Sequence, residues 1–168
     1  MQLADHIRKA RQIQNKFSHP SCAAVIVAAG SSARMGGTDK ILAELGGLPV
    51  LSRTLRVFDD HDMIDTIIVV AREEQMPKIS RVCSPYHKVR IVVPGGNSRQ
   101  EAVMHGLEAV PEGTELVAVH DGARPLVSPE VITKVILKAA KFGAAAPAKI
   151  TSPVWGAECS PWCANAAA

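Results

Sequence analysis

The chain has 168 residues, 47% of them hydrophobic, and a mean hydropathy of +0.10. That is enough apolar material for the core of one ordinary domain, and it excludes a disordered chain. The formal net charge is +3 with the basic residues scattered, which excludes the dense runs of a nucleic-acid or anionic-membrane surface and fits a small anionic ligand held by a few placed cations.

The four cysteines, Cys22, Cys83, Cys159 and Cys163, draw no secretory disulfide framework. No apolar run approaches the ~20 residues of a membrane span, and residues 1–20 mix charges too evenly for a signal peptide. The expectation is a soluble, cytoplasmic protein.

In chain order, Leu3, Ile7, Ala10, Ile13 and Phe17 recur at three- and four-residue steps, so residues 1–21 read as an N-terminal extension with a short amphipathic helix. Residues 22–29, Cys-Ala-Ala-Val-Ile-Val-Ala-Ala, lack alternation and read as a strand buried on both faces, which implies a parallel sheet. Further strands are predicted at 66–71, 88–93, 115–120 and 143–148, and helices at 49–58, 73–83, 98–110 and 128–142. Ser128-Pro129-Glu130 supplies the cap residue, first-turn proline and first-turn acid of a helix start. The alternation predicts an α/β fold, a mostly parallel sheet sandwiched by helices in a Rossmann-like layout, over residues 22–150. Residues 151–168 have neither helical nor strand period, hold both tryptophans, and read as an irregular tail. In such sheets ligands gather beyond the carboxyl ends of the strands, so the loops after Ala29, Val93 and His120 are expected to meet.

The first of these loops, residues 28–40, is Ala-Ala-Gly-Ser-Ser-Ala-Arg-Met-Gly-Gly-Thr-Asp-Lys. Small side chains let backbone N–H groups approach a triphosphate, and two cations, Arg34 and Lys40, can neutralise charge that builds as pyrophosphate departs. Neither the Walker A spacing nor the dinucleotide Gly-x-Gly-x-x-Gly can be placed on it. The alternative is a Gly/Ser surface loop with a solvated arginine.

The second loop, Gly95-Gly96-Asn97-Ser98-Arg99-Gln100-Glu101-Ala102, pairs a double glycine that permits close approach to a flat base with the positive end of a helix. A plain turn with a Ser98 cap is the alternative. In the third, Val119-His120-Asp121-Gly122-Ala123-Arg124-Pro125, a carboxylate directly after a buried strand can anchor a divalent ion that bridges nucleotide phosphates. The competing role for Asp121 is to stabilise the turn before Pro125. His6, His19, His61, His87 and His105 share no ligand spacing, and His120 reads as capping the strand end.

Residues 28–36, followed by Lys40 and Leu45-Gly46-Gly47-Leu48-Pro49-Val50-Leu51, resemble the signature of sugar-nucleotide-type pyrophosphorylases and cytidylyltransferases. The Gly-Gly-x-x-Arg-Gln and Val-His-Asp-x-Ala-Arg-Pro elements narrow the resemblance to methylerythritol phosphate cytidylyltransferases and their relatives that use ribitol phosphate. The resemblance implies transfer of CMP from CTP to methylerythritol 4-phosphate with pyrophosphate release, in non-mevalonate isoprenoid synthesis. It gives Arg34 and Lys40 the stabilisation of the transition state at the α-phosphate. Ala28, Ala29, Gly30, Gly95 and Gly96 would enclose cytosine and ribose, with Asn97 where an acid is common and Ala102 where a serine often stands. Asp121 would hold Mg²⁺, and Arg99 and Arg124 would shape the pocket, Arg124 toward the acceptor phosphate. Asp39 stands where many members carry proline, a departure that would soften the loop without removing a charge.

The resemblance runs from about Ala23 to Pro147 and then breaks. The family's Val-x-Asp-Thr-x-Lys segment, projecting dimer arm and later acceptor-binding elements are not legible, and only Thr151 falls in a matching threonine position. The expectation is therefore nucleotide binding with impaired turnover, and a homodimer weakened by loss of the arm. Two alternatives stay open: a ribitol-5-phosphate cytidylyltransferase and a catalytically inactive nucleotide-binding fragment.

Overall fold

The computed structural model describes residues 19–30 and 39–147. The leader helix, Arg34 and the 151–168 tail lie outside the described residues. In order, the described elements are β1 (Cys22–Val27), β2 (Glu44–Leu45), β3 (Leu48–Pro49), α1 (Val50–Asp59), β4 (Thr66–Ala71), a 3₁₀ turn (Glu73–Gln75), α2 (Met76–Cys83), β5 (Val89–Pro94), α3 (Arg99–Glu108), β6 (Leu116–Asp121) and α4 (Pro129–Phe142).

β1, β4, β5 and β6 form one parallel sheet in the order β5-β4-β1-β6. The chain therefore builds outward from β1 through β4 and β5, then returns to the other side of β1. Such a reversal leaves a crevice between β1 and β6 at the carboxyl edge, where ligands of open α/β sheets bind. All six residues of β1 are buried, which is why that segment reads as an unbroken apolar run.

Alternate residues of β1 divide two cores. Cys22, Ala24, Ile26 and Ala28 face a layer made by Leu51, Leu55 and Phe58 of α1, Ile79 and Cys83 of α2, and Ile132 and Ile136 of α4. Ala23, Val25 and Val27 face the other way, with Ile68, Val70 and Ala102 of α3. The spacing of Leu51, Leu55 and Phe58 puts one stripe of α1 on the sheet, and each fully buried Leu or Ile contributes ~1.5–3 kcal/mol relative to exposure. α3 lies close to the strands because position 106 is glycine: a Cβ there would stand 2.4 Å from Val25 Cγ1 and 2.9 Å from Val70 Cγ2.

Several predicted boundaries shift. Residues 73–83 are a 3₁₀ turn followed by α2, whose start is set by a first-turn proline, Pro77. β1 ends at Val27 and β6 extends to Asp121, so the candidate carboxylate is the last strand residue and inherits a strand's fixed direction. The hairpin of β2 and β3, turning on Gly46 (φ 59°) and Gly47 (φ 76°), was not anticipated. The strand expected at 143–148 does not form over its described part: residues 143–147 carry no secondary structure. Gly143, at φ 84°, ends α4 in a left-handed turn. The Ala-Ala-Ala-Pro that follows has little side-chain area to bury, and its proline cannot donate to a ladder. Among the described residues no helix is long and apolar enough to cross a membrane.

Candidate functional site

Three segments meet at the carboxyl edge. The chain leaving β1 stays tied to the sheet: Ala28 N–H donates to the Val70 carbonyl at 2.7 Å, and Gly122 N–H donates to the Val27 carbonyl at 2.8 Å. Gly95 N–H donates to the Ala71 carbonyl at 2.7 Å, which carries the end of β5 up to the first loop. A Cβ at Gly95 would lie 2.5 Å from the Ala29 Cβ. The two loops approach this closely only because both positions are small. Among the described residues, nothing lies within 4 Å of where a Cβ at Gly30 would stand.

The second loop is fixed by reciprocal capping. Ser98 Oγ accepts from Glu101 N–H at 3.1 Å, and the Glu101 carboxylate accepts from Asn97 N–H at 2.7 Å. Gly96 lies against the same side chain, a Cβ there being 2.3 Å from Glu101 Cβ. Glu101 was passed over in the sequence reading, although the Ser-x-x-Glu spacing of a capping box marks it. Ala102 is 2% exposed and packs in the core beneath α3.

Asp121 and His120 separate by strand alternation. Asp121 pairs in register with Val27 and His120 with Ile26, so Asp121 faces the α3 side and His120 the α1 side. One Asp121 oxygen accepts a hydrogen bond from Arg99, the first residue of α3, and the other forms an ion pair with Arg124 Nε at 2.9 Å. Partial burial opposes ionisation of Asp121, but the Arg99 hydrogen bond and charge, with Arg124 and His120, outweigh it and hold the carboxyl below its usual range.

His120 lies against Phe58 with ring centroids 5.0 Å apart, and its Nε2–H donates to the Arg124 carbonyl at 3.1 Å. Burial keeps its imidazole below the usual pKa, against the pull of that hydrogen bond. His120 was expected to cap the strand end; it is the penultimate residue of β6, and its ring ties the following turn back to the strand. Beside it lies a cavity of about 460 Å³ lined by His120, Ala123, Arg124, Pro125, Leu126 and Val127.

Ala28, Ala29, Gly30, Gly95, Gly96, Asn97, Arg99, Asp121 and Arg124 thus gather at one edge. Lys40, at the far end of the first loop, is joined to it through Asp39 and Arg72, the residue that follows β4. Arg34 and Thr151 lie outside the described residues. The two buried thiols are inert: burial pushes Cys22 up to about 11 and Cys83 up to about 12, and both are free.

No three His, Cys, Asp or Glu gather as a metal cage among the described residues. A magnesium ion held chiefly by nucleotide phosphates needs only one or two protein carboxylates. Asp121 fits that need, since an ionised carboxylate has about four acceptor sites and the two arginines leave some of them unused.

Comparison with known proteins gives a consistent result. The family model of 2-C-methyl-D-erythritol 4-phosphate cytidylyltransferase (IspD) matches residues 22–167. The enzyme of that name from Dehalococcoides mccartyi is 43% identical over 136 residues, covering 80% of this chain and 59% of the relative. The one from Clostridium tetani is 38% identical, covering 72% and 50%. The crystal structure of 4-diphosphocytidyl-2C-methyl-D-erythritol synthase from Anaerococcus prevotii superposes with a TM-score of 0.64 at 33% identity, over 73% of this chain and 52% of that one. The chain spans between half and three fifths of the length of these curated relatives.

Proposed function

The chain belongs to the 2-C-methyl-D-erythritol 4-phosphate cytidylyltransferase family, and on that premise we propose that it transfers CMP from CTP to methylerythritol 4-phosphate, releasing pyrophosphate, in isoprenoid precursor synthesis. The observation that carries this reading is the meeting of three loops around Asp121, with Gly95 against Ala29 and Arg99 paired to the carboxylate. The small residues at 28–30 and 95–96 form a seat that a flat base and ribose can enter. The acceptor phosphate attacks the α-phosphorus in line, and Arg34 and Lys40 take up the charge that develops on the departing pyrophosphate. Asp121 would hold Mg²⁺, which when bound neutralises phosphate charge. Arg124, beside the cavity, is the candidate for gripping the acceptor phosphate. The free buried thiols suit a reducing, cytoplasmic setting.

The test is pyrophosphate release from CTP and Mg²⁺ with methylerythritol 4-phosphate as acceptor and ribitol 5-phosphate as competitor. Release driven by ribitol phosphate alone would move the chain to the ribitol-using relatives. CTP binding without release from either acceptor would reduce it to a nucleotide-binding module. Arg34→Ala is expected to lower the rate on the order of 10²–10³-fold while CTP affinity changes by less than about tenfold, because a transition-state contact is lost. Equal losses in rate and affinity would contradict that role.

A further inference from the structure

Asp39, next to Lys40 at the end of the first loop, is held at both carboxylate oxygens. Oδ1 accepts from Ile41 N–H at 3.0 Å. Oδ2 accepts from Gln75 Nε2 and pairs with Arg72 at 3.5 Å. The Asp39 carbonyl accepts from Leu42 N–H at 3.2 Å and Ala43 N–H at 2.8 Å, closing a turn. Ile41, on the other side of Lys40, is 4% exposed, and its carbonyl accepts from Leu51 N–H at 3.0 Å at the start of α1. The backbone of Lys40 is thus pinned from both neighbours, on one side by the core and on the other by two side chains that follow β4.

From this geometry we infer that Arg72 and Gln75 are positioning residues for Lys40, acting through Asp39. The inference rests on the reading of residues 28–40 as the triphosphate loop. A cation that stabilises a transition state is useful only where its seat is fixed, since a misplacement near 1 Å can cost about 10²-fold in rate. In this chain the fixing is done by an ion pair and a hydrogen bond from the segment that follows β4. The clamp also joins the two sides of the site, because Arg72 follows Ala71, whose carbonyl takes the Gly95 amide. Arg72 also pairs with Glu74 at 3.3 Å, and among the described residues Arg72 Nε and Gln75 Oε1 are buried without a hydrogen-bond partner.

Two measurements on the full chain test this. The first needs no catalysis: amide hydrogen exchange at Ile41 in ligand-free protein, in Arg72→Ala and in Gln75→Ala. Neither residue touches that amide, yet exchange there is expected to rise on the order of tenfold in both variants while β1 and β4 keep their protection. Unchanged exchange at Ile41 overturns the clamp. The second is kinetic. Asp39→Ala is expected to lower kcat about 10–100-fold with CTP KM within about threefold, and to cause no further loss in a Lys40→Ala background, because it acts through that lysine. Additive losses would show an effect spread through the fold and would also overturn the inference. A wild-type chain that releases no pyrophosphate refutes the functional reading instead, and the exchange experiment then decides the clamp alone.

Discussion

The two faces of the sheet are finished differently. On one, α1, α2 and α4 cover β1 and β4 with large apolar side chains, and Leu51, Leu55, Ile79 and Ile67 are all 0% exposed. On the other, α3 is the only helix among the described residues, held close by Ala102 and Gly106, and beside it Val117 and Val119 of β6 are 39% and 44% exposed. The fully covered face supplies the bulk of hydrophobic stabilisation, which scales with area removed from water. The thinly covered face carries the polar groups of the candidate site, since Asp121, Arg99 and the capped start of α3 all lie there. The Asp121–Arg99 pair and the larger buried core therefore lie on opposite sides of one sheet.

Truncating one large side chain on each face gives the widest contrast. Leu55→Ala is expected to cost about 2–5 kcal/mol in denaturant unfolding, because it removes buried methylenes and leaves a cavity. Val119→Ala should cost less than about 1 kcal/mol, since nearly half of that side chain is already in water. Comparable losses at both positions would mean that something covers the α3 side.

A smaller effect is expected at the closest contact on the open face. Gly106→Val should destabilise by about 1–3 kcal/mol, because the new side chain meets Val25 and Val70 well inside contact distance and pushes α3 outward. As α3 begins with Arg99, the same variant should raise the Asp121 pKa by loosening that pair, which a carboxyl titration by NMR would read. A well-tolerated Gly106→Val would show that α3 is not set by close packing.

The smallest effect is one of pH, and it belongs to the covered face. His61 receives Met63 N–H on Nδ1 at 3.2 Å, and its Nε2 lies 3.1 Å from the Pro129 carbonyl and 3.0 Å from Thr133 Oγ1, latching α4 to the loop after α1. Burial lowers its pKa, against the pull of the Pro129 carbonyl. The unfolded chain takes up a proton near the ~6.5 of a free imidazole while the folded chain resists it. Stability is therefore whole above that pH, falls as pH drops below it, and stops falling once the folded group also titrates. His120 adds to the same slope. Unfolding curves between about pH 7.5 and pH 5.5 should be flatter for His61→Gln than for wild type. Identical slopes would remove His61 as a source.

The legible features were those written in neighbouring residues. The apolar run of β1, the helix of α1 and the helix start at Ser128-Pro129-Glu130 appear where the pattern put them, although the Ser128 side chain makes no capping hydrogen bond. The described start of the first loop lies beside the second loop and the end of β6 because strand direction in a parallel sheet fixes where each strand ends. The strand expected at 143–148 failed over its described part because apolar composition alone supplies no hydrogen-bond partner.

By itself, then, the sequence determined the order of the main-sheet strands and their helices as far as α4, and the family, since each of these is a matter of local pattern. Only the tertiary structure decided that Asp121 faces α3 while His120 faces α1, that Arg99 grips a carboxylate 22 positions away, and that Gln75 reaches Asp39 across 36. Charge pairing and close contact depend on distance in space, and that distance is set by the order in which strands pair and by how near a helix can lie to them.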